Sequence, residues 1–317
     1  MSAVPVYADI EAAARRIAPH VRVTPVLSAA SLDELAGCRL HFKCENFQRA
    51  GAFKFRGACN AVWSLPDAIA ARGVVTHSSG NHGAALALAA KTRGIPAHVV
   101  VPAGAVATKL AAIARAGAAV HECAPTLAAR DAMAAELERT TGATLVHPFT
   151  DPRVIAGQGT AARELLEQAG PLDALIAPIG GGGLIGGSAI AARALAPAIR
   201  LFAAEPEGAA DAHASLAAGR RVADLVPETI CDGLRATLGE INFALLRAHG
   251  VEVLLASDVE TVAAMRLVFE RLKIVVEPSS AIALAAILRH RARFAGLRVG
   301  VILTGGNVDP DRLPWQS

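Results

Sequence analysis

The sequence predicts an α/β protein in which open, twisted sheets of parallel strands are flanked by helices. Two observations carry that prediction. From about Gly73 to the end, short β-branched runs alternate with Ala- and Leu-rich helical runs, the pattern of repeated βα units around a parallel sheet. Hydrophobic residues make up 53% of the chain and aromatic residues only 4%, so Ala, Val, Leu and Ile carry the apolar content. That composition suits strands buried on both faces between helices.

The candidate strands follow in order: LHFKCE (40–45), GVVTH (73–77), AHVVV (97–101), AAVHE (118–122), ATLVH (143–147), ALIAPI (174–179), RLFAAE (200–205), VEVLL (251–255) and RVGVILT (298–304). Each is followed or preceded by a helical stretch, such as NHGAALALAAKTRG (81–94) or DVETVAAMRLVFERLK (258–273), and glycines punctuate the strand ends. No repeat, low-complexity tract or Ser/Pro linker marks a hinge. After LVHPFTDP a second series of βα units begins, so a smaller domain of 71–147 is expected inside a larger one of 1–70 with 148–317.

Composition also excludes several classes. With 317 residues and a net charge of +3, the chain is long enough for one large or two modest cores. The charges are scattered; the densest run, Arg289-His290-Arg291-Ala292-Arg293, reads as the solvated end of a helix. Without a basic tract or aromatic stacking residues, no nucleic-acid partner is expected. The five cysteines (Cys38, Cys44, Cys59, Cys123, Cys231) are odd in number and contain no CxxC, so neither a disulfide framework nor a zinc site is signalled and a reducing cytoplasm fits. The N-terminus lacks the apolar core of a secretory signal, and its acidic residues argue against a transit peptide. The longest uncharged stretch, 174–192, is 19 residues, but its six glycines and Pro178 read as strand, loop and helix, so no membrane association is expected.

Three segments could carry chemistry. The glycine run GGGGLIGG (180–187) follows the strand ALIAPI and opens the helix SAIAARALA (188–196). Bared main-chain N–H groups, the absence of Cβ atoms and the helix dipole together make an anion site. The run also contains GxGxxG at Gly181, Gly183 and Gly186, with Glu205 19 residues after Gly186, so a dinucleotide turn and a packing-only turn stay open alongside a phosphate cup. In ENFQRAGAFKFRGA (45–58), Lys54 is one of only five lysines in the chain and stands between Phe53 and Phe55. Desolvation there would free a neutral amine for Schiff-base chemistry, and a snorkelling lysine is the alternative. In THSSGNHG (76–83), hydroxyls, an amide and N–H groups at a helix start form either a cradle for a carboxylate and a phenolic oxygen or an N-cap cluster.

With these segments in chain order, the sequence resembles the fold-type II pyridoxal-phosphate enzymes, in the branch of serine racemase, serine/threonine dehydratase and 3-hydroxyaspartate ammonia-lyase. The resemblance spans almost the whole chain and includes VHPFTDPRVIAGQGT (146–160), AAEPEGAADA (203–212), TICDGLRATLGE (229–240), IVVEPSSA (274–281) and ILTGGNVD (302–309). It implies a two-domain, tryptophan synthase β-like fold.

By that resemblance Lys54 holds pyridoxal 5'-phosphate through a Schiff base and acts as the base at the substrate Cα. Phe53 packs by the cofactor ring, Gly180, Gly181, Gly182 and Gly183 form the phosphate cup, Asn81 partners the phenolic oxygen, and Glu277 belongs to the cofactor shell. Thr304 stands where the family sets a hydroxyl against the pyridine nitrogen; a hydroxyl cannot protonate that nitrogen as an Asp would, which favours elimination over transamination. Ser78, Ser79, Gly80, Asn81 and His82 line the substrate. Ser79 is also a second catalytic group, exchanging a proton on the face opposite the lysine.

Glu205, the carbonyl of Ala209 and Asp211 match the family's divalent-cation site. As hard oxygen ligands they suit Mg²⁺, Mn²⁺ or Ca²⁺ rather than zinc. Arg130 and Arg235 are candidates for a second anionic group on the substrate, such as a β-carboxylate. Two positions depart from the family pattern: Ala236 replaces a serine after the Asp-Gly segment, and Ala52 replaces a serine before Phe53-Lys54. Only a short tail follows Asp309, so no inhibition by isoleucine through a regulatory domain is expected.

The function so implied is a cytoplasmic, homodimeric ammonia-lyase. It would eliminate water from serine, threonine or 3-hydroxyaspartate to give a 2-oxo acid and ammonia. An amino-acid racemase with dehydratase side activity is the first alternative. A nucleotide-dependent oxidoreductase using the GxGxxG turn is the second.

Overall fold

The computed structural model describes residues 4–105 and 107–315. Among them are ten strands: β1 (Val26–Leu27), β2 (Arg39–Cys44), β3 (Val74–His77), β4 (Ala97–Pro102), β5 (Ala119–Cys123), β6 (Thr144–Leu145), β7 (Ala174–Pro178), β8 (Arg200–Pro206), β9 (Glu252–Ala256) and β10 (Arg298–Leu303). The chain divides into two compact units. One holds Lys54–Gly157 with the chain up to Arg22, and the other holds Val23–Phe53 with the chain from Gln158 onward.

The larger unit carries a six-stranded sheet in the order β1-β2-β10-β7-β8-β9, parallel except for the β1–β2 pair. Every residue of β7 is buried, and so are all but the first of β8 and β10. This two-sided burial is why these strands read as continuous apolar runs. One face packs on the helix Pro278–Arg289, whose residues from Pro278 to Ile287 are all buried, in a core that includes Phe42, Ile176, Phe202, Phe294 and Val301. Within the same unit, buried Lys43 Nζ donates to Glu164 Oε2 (2.7 Å), Gln168 Oε1 (2.8 Å) and the Thr24 carbonyl (2.7 Å).

The smaller unit carries a four-stranded, all-parallel sheet in the order β5-β4-β3-β6. Val75 and Val100 face a cluster with Ala134 and Cys123, while Val99 and Val101 face Ala87 and Ile113. The alternation along β4 thus sends successive side chains to two different helix layers.

Each predicted strand is present, with β6 contracted to two residues. β1 was not predicted, because a two-residue strand shows no periodicity. The helix expected at 188–196 starts earlier, at Gly183, and ends at Leu195. The unit boundaries also differ from the expected 71 and 147, since residues up to Arg22 and from 54 to 70 join the smaller sheet. The physical reason is helix packing: Lys54–Trp63 lies against Asn81–Arg93, and Tyr7–Ile17 lies against Lys54–Trp63. Gly157 lets the helix Pro152–Ala169 approach so closely that an added Cβ would stand 2.7 Å from the Arg56 carbonyl oxygen.

All five cysteines are buried thiols, and burial pushes Cys44 and Cys231 up to about 12. No helix among the described residues is long and apolar enough to cross a membrane.

Candidate active site

In the smaller unit, Lys54 is the first residue of the helix Lys54–Trp63 and is half-buried, followed by fully buried Phe55. Its Nζ donates to the Pro148 carbonyl at 3.0 Å. Ser78, Ser79 and Gly80 form the turn from β3 into the helix Asn81–Arg93. The N-cap of that helix is Gly80, with no side-chain capping bond. Neither serine occupies the N-cap position, though Ser78 Oγ accepts from the Gly80 N–H at 3.4 Å, and Ser78, Ser79 and Asn81 are half-buried rather than fully enclosed. Gly83 is forced by close approach, since an added Cβ would lie 2.1 Å from the Ser78 carbonyl oxygen.

His82 is buried, and burial, with Lys54 adding to it, drives its pKa well below the usual value. Its Nε2 lies 3.3 Å from the Val146 carbonyl, which can only accept, so the proton sits on Nε2 and the buried Nδ1 has no hydrogen-bond partner. His77, buried at the end of β3, lies 3.6 Å from Asp131 Oδ1. Burial lowers the His77 pKa, Asp131 opposes that and Arg130 adds to it. Arg130 therefore stands near the strand end that leads into Ser78. It sits in the first turn of the helix Leu127–Thr141, and its Nε is buried without a hydrogen-bond partner.

In the larger unit, the glycine run forms the turn between β7 and the helix Gly183–Leu195. The Gly181 carbonyl accepts from the Gly239 N–H (3.1 Å) and from Asn242 Nδ2 (2.5 Å). Because the peptide is trans, holding that carbonyl on one side turns the Gly182 N–H to the other. Gly182 has φ +89° and caps the helix without a side chain, and a Cβ there would meet the Asn242 Cβ at 2.7 Å. The helix's first N–H groups lack intrahelical partners. A loop with no Cβ atoms, opening onto those donors, fits a phosphate group.

Phe53, Thr304 and Glu277 come together in the same unit. The Phe53 N–H donates to the Thr304 carbonyl (2.9 Å), Ala52 bridges Gly305, and the Glu277 N–H donates to the Gly305 carbonyl (3.0 Å). A Cβ on Gly305 would stand 2.9 Å from Glu277 Oε1 and 3.0 Å from the Ala52 Cβ. The small Ala52 is thus packed against a glycine. Thr304 and Glu277 are both buried, and Glu277 is the N-cap of the helix Pro278–Arg289.

Glu205 near the end of β8 and Asp211 at the start of the helix Asp211–Ala218 are both buried, as is Ala209 on the short turn between them. Glu205 accepts from the Ala212 and His213 N–H groups at 2.8 Å each, and Asp211 Oδ2 accepts from the Leu238 N–H at 2.8 Å. Neither carboxylate is in an ion pair among the described residues, and burial, with Asp211 adding to it, pushes Glu205 up to about 8. Burial raises Asp211 as well, and two buried carboxyl groups with the Ala209 carbonyl between them in sequence have the donor chemistry for a hard divalent cation.

Arg235, too, is bonded to main chain rather than left open to a ligand. It is exposed, and its Nε and Nη2 donate to the Thr229 carbonyl at 3.1 and 2.5 Å. The residue reasoning from sequence left unassigned is His147, whose Nδ1 accepts from the Phe149 and Thr150 N–H groups (3.4 and 3.2 Å) beside the Pro148 carbonyl. Its presence in VHPFTDPRVIAGQGT was the available signal.

A family model described as pyridoxal-phosphate dependent enzyme matches residues 17–305. The chain is 52% identical to the beta-hydroxyaspartate dehydratase of Paracoccus denitrificans, covering 98% of this chain and 99% of that protein. It is 48% identical to a serine racemase of Arabidopsis thaliana, covering 98% and 95%. Among solved structures it superposes on maize serine racemase with a TM-score of 0.95 and 45% identity, over 98% of this chain and 95% of that one.

Proposed function

The chain belongs to the pyridoxal-phosphate dependent enzyme family, and from that premise we propose that it is an ammonia-lyase whose preferred substrate is a 3-hydroxyaspartate. Family membership sets aside the dinucleotide reading of Gly181, Gly183 and Gly186. The observation that supports a dicarboxylate substrate is Arg130, whose buried Nε has no hydrogen-bond partner and whose charge reaches His77, the residue before Ser78. A guanidinium so placed suits a β-carboxylate. The 52% identity to a beta-hydroxyaspartate dehydratase points the same way.

On this reading, Lys54 carries the cofactor covalently and Gly180, Gly181, Gly182 and Gly183 bind its phosphate. Phe53 and Glu277 complete its surroundings, Asn81 holds its phenolic oxygen and the Thr304 hydroxyl its ring nitrogen. Pyridoxal phosphate, when bound, supplies the electron sink that makes a Cα proton removable. Once the substrate amine has taken its place, the freed Lys54 Nζ would take that proton, a proton would be returned to the β-hydroxyl so that it leaves as water, and the released enamine would hydrolyse to a 2-oxo acid and ammonia. The α-carboxylate is held by the turn 78–82, where Ser78, Ser79, Gly80, Asn81 and His82 contribute hydroxyl, amide and N–H donors. Glu205, Ala209 and Asp211 hold a structural Mg²⁺, Mn²⁺ or Ca²⁺, and the enzyme works as a cytoplasmic homodimer. Arg235, with two of its nitrogens on Thr229, is the second candidate for the β-carboxylate.

Racemisation is the second reading, favoured by Ser79, a half-buried hydroxyl not engaged in helix capping. Ser79→Ala separates the two: racemisation is lost while elimination survives. The assignment is tested by measuring 2-oxo acid and ammonia from L-serine, L-threonine and the diastereomers of 3-hydroxyaspartate, with pyridoxal phosphate and Mg²⁺ present. Fast turnover confined to a hydroxyaspartate, lost in Lys54→Ala and weakened through KM in Arg130→Met, is the expected result. Equal turnover of serine and threonine would make it a general dehydratase, and turnover by Lys54→Ala would sink the assignment.

A further inference from the structure

We propose that His147 is a positioning residue for Lys54: its Nδ1 gathers two main-chain N–H groups into a turn that presents the Pro148 carbonyl to the lysine amine. The proposal rests on the reading of Lys54 as the cofactor-bearing lysine and deepens it.

The turn contains Pro148, which has no N–H and a restricted φ. The N–H groups that follow it, from Phe149 and Thr150, both donate to His147 Nδ1, at 3.4 and 3.2 Å. Two donors aimed at Nδ1 require a bare lone pair there, which places the ring proton on Nε2. On the other side of the turn, His82 Nε2 donates to the Val146 carbonyl at 3.3 Å. Two imidazoles therefore hold residues 146 to 150, and the carbonyl between their attachment points accepts from Lys54 Nζ at 3.0 Å.

The surroundings keep both rings uncharged. Burial first, then His77 and Lys54, lowers His147 to about 4, with only Asp151 opposing. Asp151 is already spent: it pairs with Arg153 (2.5 Å) and accepts the Arg153 N–H (2.8 Å) at the start of the helix Pro152–Ala169. The ring also packs edge-on against Phe149 (4.5 Å between centroids) and His77 (5.1 Å), which fixes its plane. An uncharged carbonyl is a suitable partner for a lysine that must give up its proton. It orients the amine without the full charge of a carboxylate, which would hold it as ammonium.

The test uses side chains that keep or move the acceptor. In His147→Asn, Oδ1 falls at the place of Nδ1 and accepts the same two N–H groups. In His147→Gln, the polar atoms fall at the place of Nε2, and His147→Leu has no acceptor at all. Apoprotein of each is mixed with pyridoxal phosphate, and the rate of Lys54 adduct formation is followed by visible absorbance. Borohydride reduction and peptide mass then confirm the attachment point.

The Gln and Leu variants are expected to combine with the cofactor about tenfold more slowly, as for loss of one orienting hydrogen bond. The Asn variant is expected to stay within about twofold of wild type, in rate and in kcat. Normal rates in Gln with slow rates in Asn, or normal rates in all three, would overturn the proposal. If Leu does not fold, the Asn and Gln pair decides alone. A wild-type protein with no adduct at Lys54 would fail the parent reading, which is distinct from an adduct that forms at Lys54 equally fast in every variant.

Discussion

Gly83 lies directly under Ser78: a methyl group on its Cα would stand 2.1 Å from the Ser78 carbonyl oxygen. The turn that carries Ser78, Ser79 and Asn81 therefore rests on the first helical turn after it, with no room for any side chain. Alanine normally stabilises a helix interior relative to glycine, and here the sign is reversed.

Gly83→Ala is expected to cost at least about 2 kcal/mol of stability and to lower turnover by more than tenfold, because the turn must move. Gly94→Ala is the control. It too replaces a glycine at the end of the same helix, with φ 73° and nothing within 4 Å, so it should cost only about 1 kcal/mol of backbone strain and leave kcat unchanged. Urea unfolding with steady-state assays separates the two. Equal losses of activity would show that Gly83 is not special.

Acid should weaken the smaller unit through His147. Its folded pKa of about 4 lies below the ordinary value of 6.5, so between those values the unfolded chain binds a proton that the folded one refuses. Stability is then full above pH 6.5, falls as pH drops towards 4, and levels off below it. For a half-buried ring this is about 2 kcal/mol after solvent screening. His147→Asn removes the ionisable group and should flatten that part of the curve. A parallel pH profile in wild type and variant would refute the assignment.

Lys43 and Glu164 form an asymmetric pair, the lysine side chain 0% and the glutamate 17% exposed. Removing the glutamate leaves a buried ammonium, which costs about 3–5 kcal/mol, whereas removing the lysine leaves a carboxylate that can turn to water. Glu164→Leu is therefore expected to destabilise the protein more than Lys43→Met. Thermal unfolding of both variants checks the order, and the reverse order would mean that the Thr24 and Gln168 contacts alone carry the lysine.

A divalent cation at Glu205 and Asp211 should raise the melting temperature and EDTA should lower it. Asp211→Asn keeps an oxygen for the Leu238 N–H, which now donates at 2.8 Å, and removes the charge. That variant should fold but lose the response to Mg²⁺ and Ca²⁺. An unchanged response would move the cation elsewhere.

The α/β class was legible because strands buried on both faces must be apolar along their whole length, as β7 is. The glycine run was legible for a related reason: a turn that exposes main-chain N–H groups cannot carry Cβ atoms. β1 was not legible, since two residues show no period, and neither was the start of the helix at Gly183, since glycine carries no helical preference to read.

By itself, then, the sequence determined the layers, the turns that end them and the family. Only the tertiary structure decided which groups serve one another. Lys54 meets a carbonyl 94 residues away, Arg235 is drawn onto the Thr229 carbonyl, and His147 turns its Nδ1 to the main chain rather than outward. Side-chain periodicity and motif spacing are written in residue types. Every residue has a main-chain carbonyl and all but proline an N–H, so their partners are set by the packing that brings distant segments together.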